Sequence, residues 1–346
     1  MAGGALLQGR PGHVVDVTLP VEPHQTHIAR PKLSLQKPTL FFVARHHANE
    51  VSSTTSVLQI ARGAATATDS AVHQWLAKVN LVLLPMANPD GAAIHYALMT
   101  EHPRWKHHAA RFNAAGKEFG SDHFNENTPF GEARFRRDIW ERWLPDAIVD
   151  NHGVPSHEWC QPFAGYTTPP RFPVCYHVVQ AMLYGIITYI DDPAQPQLQQ
   201  NAAALRSAVA QAVAATPWLH DRNQYWLNRY RCYGEQWLPD LSPVDVHNDM
   251  LFFYRGVVPA QVPTARRNFA MRHPQITLLD WVTEVPDETA QGEYLVECAA
   301  AHRVANEAMI RLLAESAAPV TRLVETRGDG RVWIGLRRER RIRCGI

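Results

Sequence analysis

Five short runs rich in branched and aromatic side chains, each ending at turn-forming residues, alternate with stretches whose apolar residues recur at helical spacing. That alternation constrains the fold more than any other feature of the chain. The runs are Val14 to Val21, Thr39 to Ala44, Asn80 to Ala87, Asp146 to Asp150 and Ile276 to Val285. Helical stretches lie at Val51 to Gly63, Ser70 to Lys78, Phe135 to Trp143, Leu198 to Ala215, Trp218 to Arg231 and Glu293 to Ser316. Strands taking turns with helices predict an α/β fold: three α/β/α layers, with a mixed, mostly parallel, twisted sheet covered by helices on both faces. An N-terminal segment over 1–35, a main domain over 36–318 and a C-terminal hairpin and basic tail over 319–346 divide the chain. Within the main domain, about 155–245 reads as an inserted helical and loop region. The hairpin is expected to turn at Asp329-Gly330, and the Arg cluster from Arg337 to Arg343 reads as a solvated terminal segment.

In sheets of this kind, chemistry collects just beyond the carboxyl ends of the strands. Three polar clusters fall there: "RHHANE" after the strand ending at Ala44, "NPDG" after the next, and "VDNHG" at the end of a third. Catalytic zinc takes three nitrogen or oxygen ligands and keeps one position open. His47, Glu50 and His152 supply such a set, a close pair on one turn and a distant partner from another strand. Asp150 is positioned to orient an imidazole from behind. His46 is expected to point to the other side of the turn. His157 competes with His152, and Glu297 with Glu284, while His102, His107 and His108 read as a solvated polar stretch.

The order "HHANE", "NPDG", "VDNHG", "WVTEV" resembles the zinc carboxypeptidase family typified by carboxypeptidase A, from about Pro38 to about Leu313. The resemblance implies one zinc ion held by His47, Glu50 and His152, with Glu284 as general base toward metal-activated water and Arg111 steadying the oxyanion. Arg104 is a rival for the last role. Asn113, in the same Arg-x-Asn stretch, and His157 are read as substrate contacts alongside Arg111; Tyr254 stands in for the family's late tyrosine. The family follows its arginine with Gly-x-Asp-x-Asn-Arg, the last two residues gripping the substrate's carboxylate. Read from Gly116, this chain has Gly120 and Ser121 at those places; read from Gly120, it keeps Asp122, with Asn125 one place late and Glu126 after it. In neither register does an arginine follow. The implied activity is therefore zinc-dependent hydrolysis of a peptide or amide bond without the usual clamp. An N-acyl amino acid deacylase and a catalytically silent binding member are the alternatives.

Charge and composition narrow the partners. Lys plus Arg total 34 and Asp plus Glu 33, which gives no bulk attraction to nucleic acid, and no apolar run is long enough for a membrane span. A peptide or small amide substrate fits this balance; no motif specifies an oligomeric state. Five scattered cysteines without a C-x-x-C pair argue against a disulfide framework or thiolate zinc site. With no secretory leader pattern in the chain, a cytoplasmic location is expected.

Overall fold

Along Thr39–Ala44 every residue is buried, and alternation sends Leu40, Phe42 and Ala44 to one face of a sheet and Phe41 and Val43 to the other. A computed structural model describes residues 2–5, 8–19, 30–67, 71–103, 107–154, 181–233, 244–263, 267–288, 290–326 and 328–343. In its first half the elements are β1 (Ala2–Ala5), β2 (Pro11–His13), β3 (Val15–Val17), α1 (Arg30–Gln36), β4 (Thr39–Ala44), α2 (Ser52–Thr66), α3 (Ala71–Trp75), β5 (Asn80–Leu84), α4 (Pro89–Glu101), α5 (Gly131–Trp143) and β6 (Ala147–Gly153). There follow β7 (Tyr184–Ile190), α6 (Pro196–Ala214), α7 (Pro217–Tyr233), β8 (Val244–His247), β9 (Met250–Val257), α8 (Phe269–Arg272), β10 (Leu279–Val285), α9 (Glu293–Ser316), β11 (Val320–Thr326) and β12 (Val332–Arg338).

Eight strands form one mixed sheet in the order β3-β5-β4-β6-β10-β7-β9-β8. Strands β5, β4, β6 and β10 run parallel, so their carboxyl ends share one edge; β7 joins β10 antiparallel. Helices α2, α3, α6 and α9 cover one face with Leu40, Leu81, Val149 and Trp281 beneath them. Helix α5 covers the other over Phe41, Val82 and Ile148, packing Ile139, Trp140 and Trp143. This is the expected α/β architecture with helices on both faces. No helix among the described residues is long and apolar enough to cross a membrane.

Three local differences from the sequence reading have physical causes. Strand β7 falls in the stretch read as inserted helix and loop, yet it pairs with both β10 and β9 inside the sheet. Its run "YGIITYI" carries the branched and aromatic signal of a strand. Helix α4 grows out of "NPDG": Asn88 accepts the Gly91 N–H at 2.9 Å and Pro89 occupies the first turn, so a turn motif serves as a helix start. A Cβ at Gly91 would meet the Phe112 carbonyl at 2.7 Å and Ala48 Cβ at 2.9 Å, which is why glycine stands there.

The third difference is the basic tail. Strands β11 and β12 form the expected hairpin, with Gly330 at φ 78 in its turn. The arginines from Arg337 on are not all solvated: Arg338 donates from both terminal nitrogens to Asp146 at 2.9 Å, and Asp146 also accepts the Thr39 N–H that opens β4. Both ionic side chains are buried, at 3% and 2% exposure. Replacing Arg338 by Met leaves the buried Asp146 carboxylate with Arg340 alone, 3.3 Å away. The expected loss is about 3 kcal/mol of stability, the lower end for a broken buried pair, read as a lower midpoint in chemical denaturation.

Candidate metal centre

Strand β4 ends at Ala44 and the chain leaves it through Arg45 in the left-handed region, φ 58. The turn is closed from both sides. The Arg45 N–H donates to Ser53 Oγ at 3.1 Å and its Nε to the Ala48 carbonyl at 2.8 Å, while the Glu50 N–H donates to the His47 carbonyl at 3.2 Å. Asp287, just past β10, accepts both the N–H (2.8 Å) and the hydroxyl (2.5 Å) of Ser52, joining the start of α2 to the end of β10. His152 lies near the end of β6, opposite Glu284 in the parallel register with β10. The side chains of the turn and of the two strand ends thus meet at one edge of the sheet.

There the expected ligands converge. His47 Nδ1 lies 2.7 Å from Glu50 Oε1 and 2.9 Å from His152 Nδ1, and His152 Nδ1 lies 3.2 Å from Glu50 Oε2. Donors around a four-coordinate zinc with bonds of about 2.0–2.1 Å stand roughly 3.3 Å apart, so the spacing fits such an ion. The orientation of the rings fits as well. Each turns its other nitrogen to a carboxylate, His47 Nε2 to Glu118 at 2.9 Å and His152 Nε2 to Asp150 at 3.2 Å, which leaves both Nδ1 atoms aimed at the same point. Asp150 is held in turn by Arg136 at 2.6 Å.

Burial by itself would push Glu50, Asp150 and Glu118 up. Against it, His47 and His152 hold Glu50 low, Arg136 and then His152 hold Asp150 well below the usual carboxylate range, and His46 with His47 holds Glu118 low. His152 is also pushed down by burial, but Asp150 and Glu50 outweigh this and raise it well above an ordinary histidine. Glu284 is pushed up to about 8 by burial first, with Glu50 and Asp287 adding to it and His152 and Arg111 opposing. Its Oε2 is buried without a hydrogen-bond partner among the described residues. Asp287 is pushed up to about 7 by burial and then by Glu50. In the metal-free protein this edge holds more acid than its cations neutralise, a setting that favours a divalent ion.

Arg111 reaches the cluster, its Nη1 3.0 Å from Glu50 and 3.4 Å from Glu288. Its position follows from the "NPDG" loop, since Asn88 Nδ2 donates to the Phe112 carbonyl at 3.1 Å. Asn113 is placed differently. It is 2% exposed, lines neither of the two cavities beside Glu50, and its Oδ1 accepts the N–H groups of Ala115 and Lys117, closing its own turn. His157 and Arg104 lie outside the described residues. Glu297 pairs with Arg222 on α7, and Tyr254 packs beside Arg206 and Tyr189 away from the cluster.

Glu118 is the residue that sequence reasoning missed. It binds His46 Nε2 at 2.7 Å as well as His47, and it occupies the acidic place in the register that begins at Gly116. That register puts Gly120 and Ser121 in the wall of a cavity of about 440 Å³ beside the cluster, together with Arg111, Arg136 and Arg267. A Cβ on Gly120 would stand 3.2 Å from both Glu118 Oε1 and His46 Nε2, so the imidazole of His46 fills the space that a longer side chain would need. His46, pushed down by burial, also packs its ring on Phe119 at 4.1 Å.

Residues 3–165 match the family model for zinc carboxypeptidase. Among solved structures, a metallo-carboxypeptidase from Burkholderia cenocepacia is similar with a TM-score of 0.54 and 15% identity, over 90% of this chain and 64% of that one. One from Pseudomonas aeruginosa, in complex with (2-guanidinoethylmercapto)succinic acid, gives 0.54 and 16% over 91% and 64%. Carboxypeptidase A from Helicoverpa armigera gives 0.53 and 12% over 92% and 68%. At these identities the likeness is one of fold, and the chain spans under two thirds of the length of the first two. No curated protein matches the sequence.

Asp150 and Glu50 outweigh burial and raise His152 well above the ordinary histidine range, so a proton is favoured on it that must leave before Nδ1 can serve as a ligand. Zinc binding at pH 7 is therefore expected to release about one proton or more, with affinity climbing as pH rises. Calorimetry in buffers of different ionisation enthalpy measures this; binding without proton release would remove His152 from the ligand set.

Proposed function

We propose that this chain, a divergent relative of the zinc carboxypeptidases, is a zinc-dependent hydrolase of peptide or amide bonds in small substrates. The observation that carries the reading is that His47 and His152 turn their Nδ1 atoms to one point beside Glu50 while Glu118 and Asp150 hold their Nε2 atoms. His47, Glu50 and His152 would hold a single zinc ion. When bound, it supplies a Lewis acid that polarises the scissile carbonyl and eases deprotonation of water.

The remaining steps fall to the chain's own groups. Glu284, half-buried and opposite His152 in the register, has a buried oxygen without a partner among the described residues, which suits it to take a proton from the attacking water and deliver it to the departing nitrogen. A cation at the ligand cluster would pull its carboxyl down from about 8 toward the ionised form a base requires. Arg111 lines the cavity 3.0 Å from Glu50, where its fixed charge meets negative charge as the carbonyl oxygen turns tetrahedral. Glu118 and Asp150 act by positioning the imidazoles. With Gly120 and Ser121 at the places of the family's clamp, that segment offers no side chain to grip a terminal carboxylate bidentately, and the activity need not be confined to free carboxyl termini.

Three substitutions separate these roles. His47→Ala is expected to empty the site, measured as zinc content after dialysis. Glu284→Gln is expected to keep zinc and lose about 10²–10⁴-fold in turnover on a panel of blocked peptides and N-acyl amino acids; full hydrolysis by that variant would mean the base lies elsewhere. Glu118→Gln is expected to weaken zinc binding by about 10–100-fold while Glu284 continues to serve.

A further inference from the structure

A second cavity, of about 340 Å³, lies behind Glu50: its chain neighbours Asn49 and Val51 both line it. Its polar wall is Asn49, His95, His107, Asp287, Glu288 and Gln291, and its apolar wall includes Met99 and Leu295. Asn49 is 1% exposed, and neither its amide nitrogen nor its amide oxygen has a hydrogen-bond partner among the described residues. His107, expected to be solvated, is buried instead, and its Nε2 is likewise without one. Buried polar atoms are nearly always satisfied in folded proteins, so two unsatisfied side chains facing one cavity call for a ligand that both donates and accepts hydrogen bonds.

Charge narrows that ligand. Two carboxylates line the cavity and, among the described residues, no Lys or Arg does. The first cavity, by contrast, has Arg111, Arg136 and Arg267 in its wall. Glu288 also lies 3.4 Å from Arg111, which lies 3.0 Å from Glu50. A cation held at Glu288 is thus separated from the ligand cluster by one guanidinium, which matches one residue of substrate. The volume is near the lower end of the roughly 300–1,000 Å³ typical of small-molecule sites, room for a residue or two.

We infer that this cavity takes the free amino group and side chain of the residue on the acyl side of the bond, so that the substrates are short and amino-terminally unblocked, such as dipeptides and aminoacyl amides. In this arrangement the ammonium lies against Glu288 and Asp287, the Asn49 amide pairs with the adjoining peptide unit, and the aliphatic or aromatic body packs on Met99 and Leu295. The choice of bond rests on the hydrolase reading above. Occupancy of the cavity does not.

The test is calorimetric titration of the zinc-loaded Glu284→Gln chain with L-leucinamide and with N-acetyl-L-leucinamide. Losing a charge-assisted contact is expected to make the acetylated compound bind about tenfold or more weakly. Glu288→Gln, added to the same chain, is expected to shrink that ratio below about threefold, and Asn49→Ala to weaken both compounds. Equal binding of the two compounds overturns the inference. So does an amine preference that survives both added substitutions, since the amine would then sit elsewhere, as on the metal. Should the preference behave as expected while the unaltered zinc-loaded chain cleaves neither leucinamide nor a leucine dipeptide, the cavity assignment stands and the hydrolase reading fails.

Discussion

Two imidazole nitrogens 2.9 Å apart, each backed by a carboxylate, share their point of convergence with a third carboxylate buried completely. Facing lone pairs repel, so the arrangement requires a proton or a metal cation among them, and the rest of the edge is organised around that requirement. Asp150 and Glu118 fix the rings, Arg136 fixes Asp150, and Arg111 balances Glu50. Glu284 and Asp287 are pushed up by burial first, and the nearby charge of Glu50 adds to it.

The scaffold makes this possible by keeping flexible segments out of the cluster's foundations. His152 belongs to a strand buried along its whole length, and His47 and Glu50 sit on a turn bonded to the first residues of α2. Asp287 then ties the start of α2 to the loop after β10, so the strand bearing Glu284 and the turn bearing two ligands share hydrogen bonds as well as an edge. A Cβ on Gly153 would lie 1.8 Å from Asp287 Oδ1, so a glycine after His152 is what lets that tie form. Positions fixed by such regular elements hold a coordination geometry more tightly than free loops do.

How much of this can be read from the chain depends on how local each signal is. The pair His47 and Glu50 is legible because three residues separate them and a strand precedes them; His152 and Glu284 are legible because each ends an apolar run. The sheet's core and the helices on both faces follow from the same periodicity. Glu118 was hidden because nothing about a half-exposed glutamate in a Gly-rich loop announces that it folds back onto His46 and His47, more than 70 residues earlier. Asn113 shows the opposite case: its neighbour Arg111 reaches the cluster, while the Asn Oδ1 accepts backbone N–H groups of its own turn. Strand β7 escaped notice because its neighbours in the sheet, β10 and β9, come much later in the chain, and only pairing reveals its place.

The contact between His46 and the bare backbone at position 120 couples those two residues. A Cβ introduced there would stand 3.2 Å from that imidazole and from Glu118 Oε1, so one of the two must give by a few tenths of an ångström, and Glu118 is the carboxylate steadying His47. An asparagine at position 120 is therefore expected to depend on the residue at 46, because the same small shift acts on His46 and on the carboxylate that holds His47.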